Sequence, residues 1–191
     1  MTVTDQSYDG STALVAWAFA LAERHLANDL PRRWTHVREV IRLGSEICQR
    51  YGDDADLLVA ACAVHDLGWS PQLDEHGIPA LTGAVYLRTL SAPRRLTNLV
   101  GNHGCAAVEA DFKGLGGLAG EFPDERSAVR DALWWCDISV GPDGQRMTLD
   151  ERIAEVPKRY PDDHLGLLYW KAAEPEIRGA YERTAALLAG C

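Results

Sequence analysis

The stretch Asp54–Leu67, DADLLVAACAVHDL, decides the fold. Leu57, Leu58, Val59, Ala60, Ala61, Cys62, Ala63 and Val64 make it apolar on every side, and a helix of that kind belongs at the centre of a bundle. Gly68 is a natural stop, so His65 and Asp66 fall in the last turn. Burying an imidazole and a carboxylate there is costly unless a partner charge compensates, and a divalent cation does so for both side chains at once. Successive helical residues point about 100° apart, so the pair can grip an ion just past the helix end. A His-Asp pair exposed at a frayed terminus is the plain alternative.

The surrounding segments share the helical period. Ser11 to Asn28 carries Leu14, Ala18, Leu21 and Ala22 on one face, and Asn28-Asp29-Leu30-Pro31 breaks it. Trp34 to Tyr51 carries Val37, Val40, Ile41, Ile47 and Cys48, and Gly52-Asp53-Asp54 closes it. Further helices are expected at 80–90, 93–102, 124–140, 148–160 and 164–188, and the Gly-rich piece Lys113–Gly120 is expected as a mobile loop. No segment alternates as a strand does, and no internal repeat is visible. The expected fold is all-α, a single helical bundle over residues 1–191.

The short link at Gly52 makes the second and third helices antiparallel neighbours, which sets His36, near the start of one, beside His65 and Asp66 at the end of the other. Asp137 follows Leu133-Trp134-Trp135-Cys136, apolar surroundings in which a lone carboxylate is again costly. Two imidazoles with two carboxylates suit Mn, Fe, Ni, Co, Zn or Mg better than a thiolate-seeking ion.

The order His36 … His65-Asp66 … Asp137 on successive helices resembles the HD-domain superfamily of metal-dependent phosphohydrolases. The likeness covers roughly 33–140 and is densest in HVREVIRLG and LLVAACAVHDLGW; the tail, 148–191, resembles the helical extension of small bacterial members. The resemblance implies that these four residues hold one divalent ion and that metal-bound water attacks a phosphomonoester or phosphodiester of a small metabolite, such as a nucleotide. Asp66 would hold the ion and orient the water. It also implies two departures. Where nucleotidases and alarmone hydrolases of the superfamily often place a carboxylate four residues after the motif His, and cyclic-dinucleotide phosphodiesterases a lysine, this chain has Trp69.

His103 is the substitute acid, or else a helix-terminal histidine offsetting the dipole. Dinuclear relatives generally use two histidines in this region, and a single one favours a mononuclear site. Arg33 and Arg94 are candidate phosphate contacts, with Arg32 and Arg95 beside them, because guanidinium matches phosphate geometry. Trp69 is a candidate cavity wall and Glu109 a candidate base or substrate contact. Two competing functions are an HD-fold di-iron oxygenase and a non-catalytic metal- or ligand-binding module.

Bulk properties bound the partners. An apolar fraction of 47% and a charged fraction of 25% are those of a globular chain, and a net charge of −9 argues against a general nucleic-acid surface. Cys48, Cys62, Cys105, Cys136 and Cys191 are odd in number and form no C-x-x-C pair, which fits a reducing cytoplasm. The run from Thr12 to Ala22 falls short of the about 20 residues that span a bilayer and follows Asp5 and Asp9, so neither a membrane partner nor a signal peptide is expected. Apolar C-terminal helices are compatible with a homodimer.

Overall fold

In a computed structural model, residues 11–159 and 165–190 are described. Ten α-helices appear among them: α1 (Ser11–Leu26), α2 (Pro31–Ile47), α3 (Ala55–Val64), α4 (Pro79–Thr89), α5 (Arg94–Asn102), α6 (Ala106–Lys113), α7 (Gly116–Ala119), α8 (Ala128–Ile138), α9 (Leu149–Glu155) and α10 (Leu165–Ala189). Short 3-10 turns join several of them. No strand occurs among the described residues; an isolated bridge pairs Val140 with Arg146. The fold is all-α, as expected.

Helix α3 is the axis of the bundle, buried from Leu58 through Val64 and packed by α1, α2, α5 and α8. Its neighbour α2 buries His36, Val37, Val40, Leu43, Gly44 and Ile47, the stripe of a one-sided helix. At Gly44 the two helices touch so closely that a Cβ would stand 2.7 Å from Cys62 Sγ. Helix α2 starts at Pro31, ahead of the expected Trp34, because proline suits the first helical position, where no N–H is needed. That extra turn puts Arg32 and Arg33 on the helix.

Helix α10 lies along α8 and α6. Arg130 of α8, 1% exposed, anchors it: its guanidinium bonds Asp124, Asp131 and Glu176 of α10, and stacks on Trp134 with 3.8 Å to the ring centroid.

The Lys113–Gly120 segment departs from its expectation. It holds the end of α6 and all of α7, so it is helical rather than an open loop. Gly114 at φ 69° ends α6, its N–H bonded to Asp111 O, and the chain turns directly into α7. Cys48, Cys62, Cys105 and Cys136 are free and buried, the state expected for reduced thiols. No helix among the described residues is long and apolar enough to cross a membrane. His164 and Cys191 lie outside the described residues.

Candidate metal centre

The second turn of α2, the end of α3, the residue after α5 and the last turn of α8 meet at one end of the bundle and bring His36, His65, Asp66, His103 and Asp137 together. Each imidazole is held the same way. His36 Nδ1 donates to Gly141 O (3.1 Å), in the turn that follows α8; His65 Nδ1 donates to Cys62 O (2.9 Å); His103 Nδ1 donates to Val100 O (2.7 Å). Backbone carbonyls accept only, so each Nδ1 carries a proton and each Nε2 is the nitrogen turned to the cluster, able to bind a cation whenever it is unprotonated.

These Nε2 atoms face carboxylates. His36 Nε2 lies 3.2 Å from Asp137 Oδ1 and 3.7 Å from Asp66 Oδ2; His65 Nε2 lies 3.9 Å and 3.5 Å from the same two atoms. Donor atoms of His36, His65 and Asp137 all fall within 4.8 Å of one another. Atoms that share an ion at about 2.1 Å stand about 3 to 4 Å apart, so the spacing fits a divalent cation. His65 Nε2 is a second sign: it is fully buried and has no hydrogen-bond partner, an acceptor left for something the protein itself does not supply.

Asp66 faces two ways. Oδ2 meets His36, His65 and Arg33 Nη1, the last at 2.6 Å, while Oδ1 stands 3.9 Å from His103 Nε2. Burial alone would raise the carboxyl groups, yet Arg33 and the imidazoles hold Asp66, and His36 with His65 hold Asp137, well below the usual carboxylate range. Burial lowers His65 below its ordinary 6.5. It would lower His36 as well, but the hydrogen bond to Asp137 and the two carboxylate charges outweigh it and leave His36 raised.

Two cavities adjoin the cluster. The inner one, about 160 Å³, is lined by Asp66, Asp137, His103, Trp69, Glu109 and Arg152 among others; the outer, about 500 Å³, runs past Pro31, Arg32, His36 and Pro142. Arg33 and Arg152 line both. Trp69, 48% exposed, walls the inner cavity with its face against the Arg33 guanidinium. Glu109 lines it too, ion-paired with Lys113 at 2.6 Å. Arg94 is not brought to the cluster: it stands at the start of α5, about 12 Å of helix from the end that carries His103. Arg32 pairs with Asp143, and Arg95 with Asp54 and Glu125, on the surface.

Arg152 escaped the sequence reading. Its signal was available: Leu149, Arg152 and Val156 form the buried stripe of a helix opened by a Thr148–Glu151 capping box, so an arginine occupies an apolar position.

The HD domain family model matches residues 33–156, and the chain belongs to the HD-domain family. No curated protein and no solved structure gives a significant match. Members of the family are commonly metal-dependent hydrolases and bind divalent metals, and the His36–His65–Asp137 group fits that chemistry.

Proposed function

We propose that this chain, as one domain, is a metal-dependent phosphohydrolase acting on a small phosphorylated metabolite. The observation that carries this is the convergence of His36 and His65 Nε2 on Asp137, with the tautomers set by backbone carbonyls and His65 Nε2 buried without a partner. His36, His65, Asp66 and Asp137 would hold one divalent ion of the class that mixed nitrogen and oxygen donors suit, Mn, Fe, Ni, Co, Zn or Mg. When bound, such an ion supplies Lewis acidity toward a phosphoryl oxygen and acidifies water.

The remaining steps fall to side chains. Asp66 Oδ1, turned away from Arg33 toward His103, accepts a hydrogen bond from a nucleophilic water and orients it. His103, with Nδ1 fixed on Val100 O and Nε2 3.9 Å from Asp66 Oδ1, takes the proton that the attacking water sheds there and passes it to the leaving oxygen. Arg33 neutralises phosphoryl charge, and Trp69 keeps bulk water from one side of the cavity.

The test is metal content by plasma mass spectrometry on wild type, His65→Ala and Asp137→Ala, with phosphate release from a metabolite panel. About one ion per chain, lost in both variants together with phosphate release, is expected. Asp66, with one oxygen toward His36 and His65 and the other toward His103, would also suit a bridging carboxylate. Two irons per chain without phosphate release would therefore replace hydrolysis by oxidation. Metal uptake without turnover of any kind would leave a binding module.

A further inference from the structure

Arg152 and Trp170 both line the inner cavity, and each carries a buried N–H without an acceptor in the protein. Arg152 of α9 is 8% exposed; its Nη1 bonds Glu155 Oε2 (3.0 Å), but Nε has no partner. Trp170 of α10 is 7% exposed, and its indole Nε1 has none either. A buried donor left unpaired costs about 1–3 kcal/mol, and two of them beside one cavity call for an oxygen-rich occupant. Arg33 lines the same space. Arg33 is paired with Asp66 and Arg152 with Glu155, so both guanidinium groups stand charged and held beside the cavity.

We propose that Arg152 and Trp170, together with Arg33, form a phosphoryl-binding subsite in the inner cavity that selects a phosphomonoester, with the ester group lying in the outer cavity. A monoester presents three terminal oxygens, enough to meet the metal cluster and these donors together, whereas a diester presents two and carries a second substituent. The inner cavity, about 160 Å³, has room for a phosphoryl group, and the larger space of about 500 Å³ shares its Arg33 and Arg152 border, which places room for the ester group beside it. The donors come from α9 and α10, so the C-terminal helices would complete the site. This inference rests on the proposed phosphohydrolase function.

The experiment is calorimetric titration with inorganic phosphate of wild type, Arg152→Gln, Arg152→Lys and Trp170→Phe, each with and without added Mn²⁺, with metal content and melting measured on the same samples. Phosphate affinity should fall about ten- to a hundredfold in Arg152→Gln, as loss of a charge-assisted bond implies, with Mn²⁺ content unchanged. Arg152→Lys, which keeps the charge, should lose less. Trp170→Phe, which keeps the ring and removes only the N–H, should lose about fivefold and guards against a folding defect in the arginine variants. Dimethyl phosphate should bind at least about tenfold more weakly than phosphate to wild type.

Unchanged phosphate affinity in Arg152→Gln and Trp170→Phe, equal binding of dimethyl phosphate, or Mn²⁺-loaded wild type that takes no phosphate would each overturn the subsite. Loss of Mn²⁺ in Arg152→Gln would overturn it too, because Arg152 would then act through Asp137. If wild type takes up no Mn²⁺, the metal reading fails by itself, and the metal-free titrations still judge the subsite by the same arginine effect.

Discussion

Arg33 is clamped between a carboxylate and an aromatic face: its Nη1 lies 2.6 Å from Asp66 Oδ2, and its guanidinium carbon stands 4.1 Å over the Trp69 ring. A fixed cation so close to a candidate ligand oxygen competes with a metal ion for that oxygen. Arg33→Gln should therefore leave Mn²⁺ affinity unchanged or tighten it by up to about tenfold, while phosphate release falls by about tenfold or more. Metal titration and turnover on the same preparation check this. A variant that loses its metal would show that Arg33 holds Asp66 in place rather than opposing the ion.

Metal uptake should depend on pH through His36. The hydrogen bond to Asp137 and the charges of Asp137 and Asp66 outweigh burial and raise His36 above its ordinary 6.5, and whenever His36 is protonated that proton occupies the position a cation would take. Below that raised value each pH unit should cost about tenfold in apparent Mn²⁺ affinity; above it the dependence should flatten. Titrations at pH 6 and 8 measure the slope, and a flat profile across that range would remove His36 from the ligand set.

The sequence showed the centre of this fold better than its edges. Helix α3 was legible because an all-apolar run ending in His65-Asp66 has few other uses, and the short Gly52 link made α2 its neighbour, which brought His36 to the doublet. The α6–α7 region was not, because Gly114, Gly116 and Gly117 signal a loop locally, whereas the packing of α6 on α10 and of α7 on α6 is tertiary and leaves no local pattern. Within the site, residue types could be read, but orientation could not. His103 and His65 each turn Nδ1 onto the carbonyl three residues back, and the backbone then kinks after His103 at Gly104 and Cys105, both at positive φ, which no pattern announces. Arg94 went the other way: an arginine at a helix start looks the same whether or not that end faces the site.

A buried histidine away from the centre gives a separate pH effect. His25 of α1 is held by Ser70 Oγ (3.3 Å) and Tyr86 Oη (3.1 Å), and burial, with Arg24 nearby, lowers it below 6.5. A group whose folded value is depressed stabilises the fold above its unfolded value and loses that contribution as pH falls. The stability advantage of wild type over His25→Gln should be full above about pH 6.5 and shrink toward pH 5. Urea unfolding of both proteins at pH 7.5 and 5.5 supplies the comparison, and a constant gap would mean that His25 does not titrate differently in the two states.

Gly68 serves packing more than helix termination. A Cβ there would stand 1.8 Å from Pro79 O and 2.6 Å from Gly83 N, both backbone atoms of α4, so the turn after Asp66 rests directly on that helix. Gly68→Ala should destabilise by about 3 kcal/mol or more and weaken metal binding by displacing Asp66. Gly117→Ala, where nothing lies within 4 Å, should be neutral or stabilise by about 0.5 kcal/mol through helix propensity. Equal effects in a denaturation series would contradict the close approach.

The attachment of α10 rests on Arg130. With 1% exposure and bonds to Asp124, Asp131 and Glu176, it compensates three carboxylates at the junction of α8 and α10. Arg130→Met preserves the aliphatic stem over Trp134 yet leaves Asp124 and Asp131 without the guanidinium, which should cost about 3–5 kcal/mol. Arg183 also bonds Asp131, at 2.6 Å, but its side chain is 55% exposed, so Arg183→Met should cost about 1 kcal/mol or less. Because Trp170 sits on α10, loosening that helix should also weaken phosphate binding in Arg130→Met while Mn²⁺ content holds. Phosphate affinity unchanged in a destabilised Arg130→Met protein would separate the α8–α10 junction from the inner cavity.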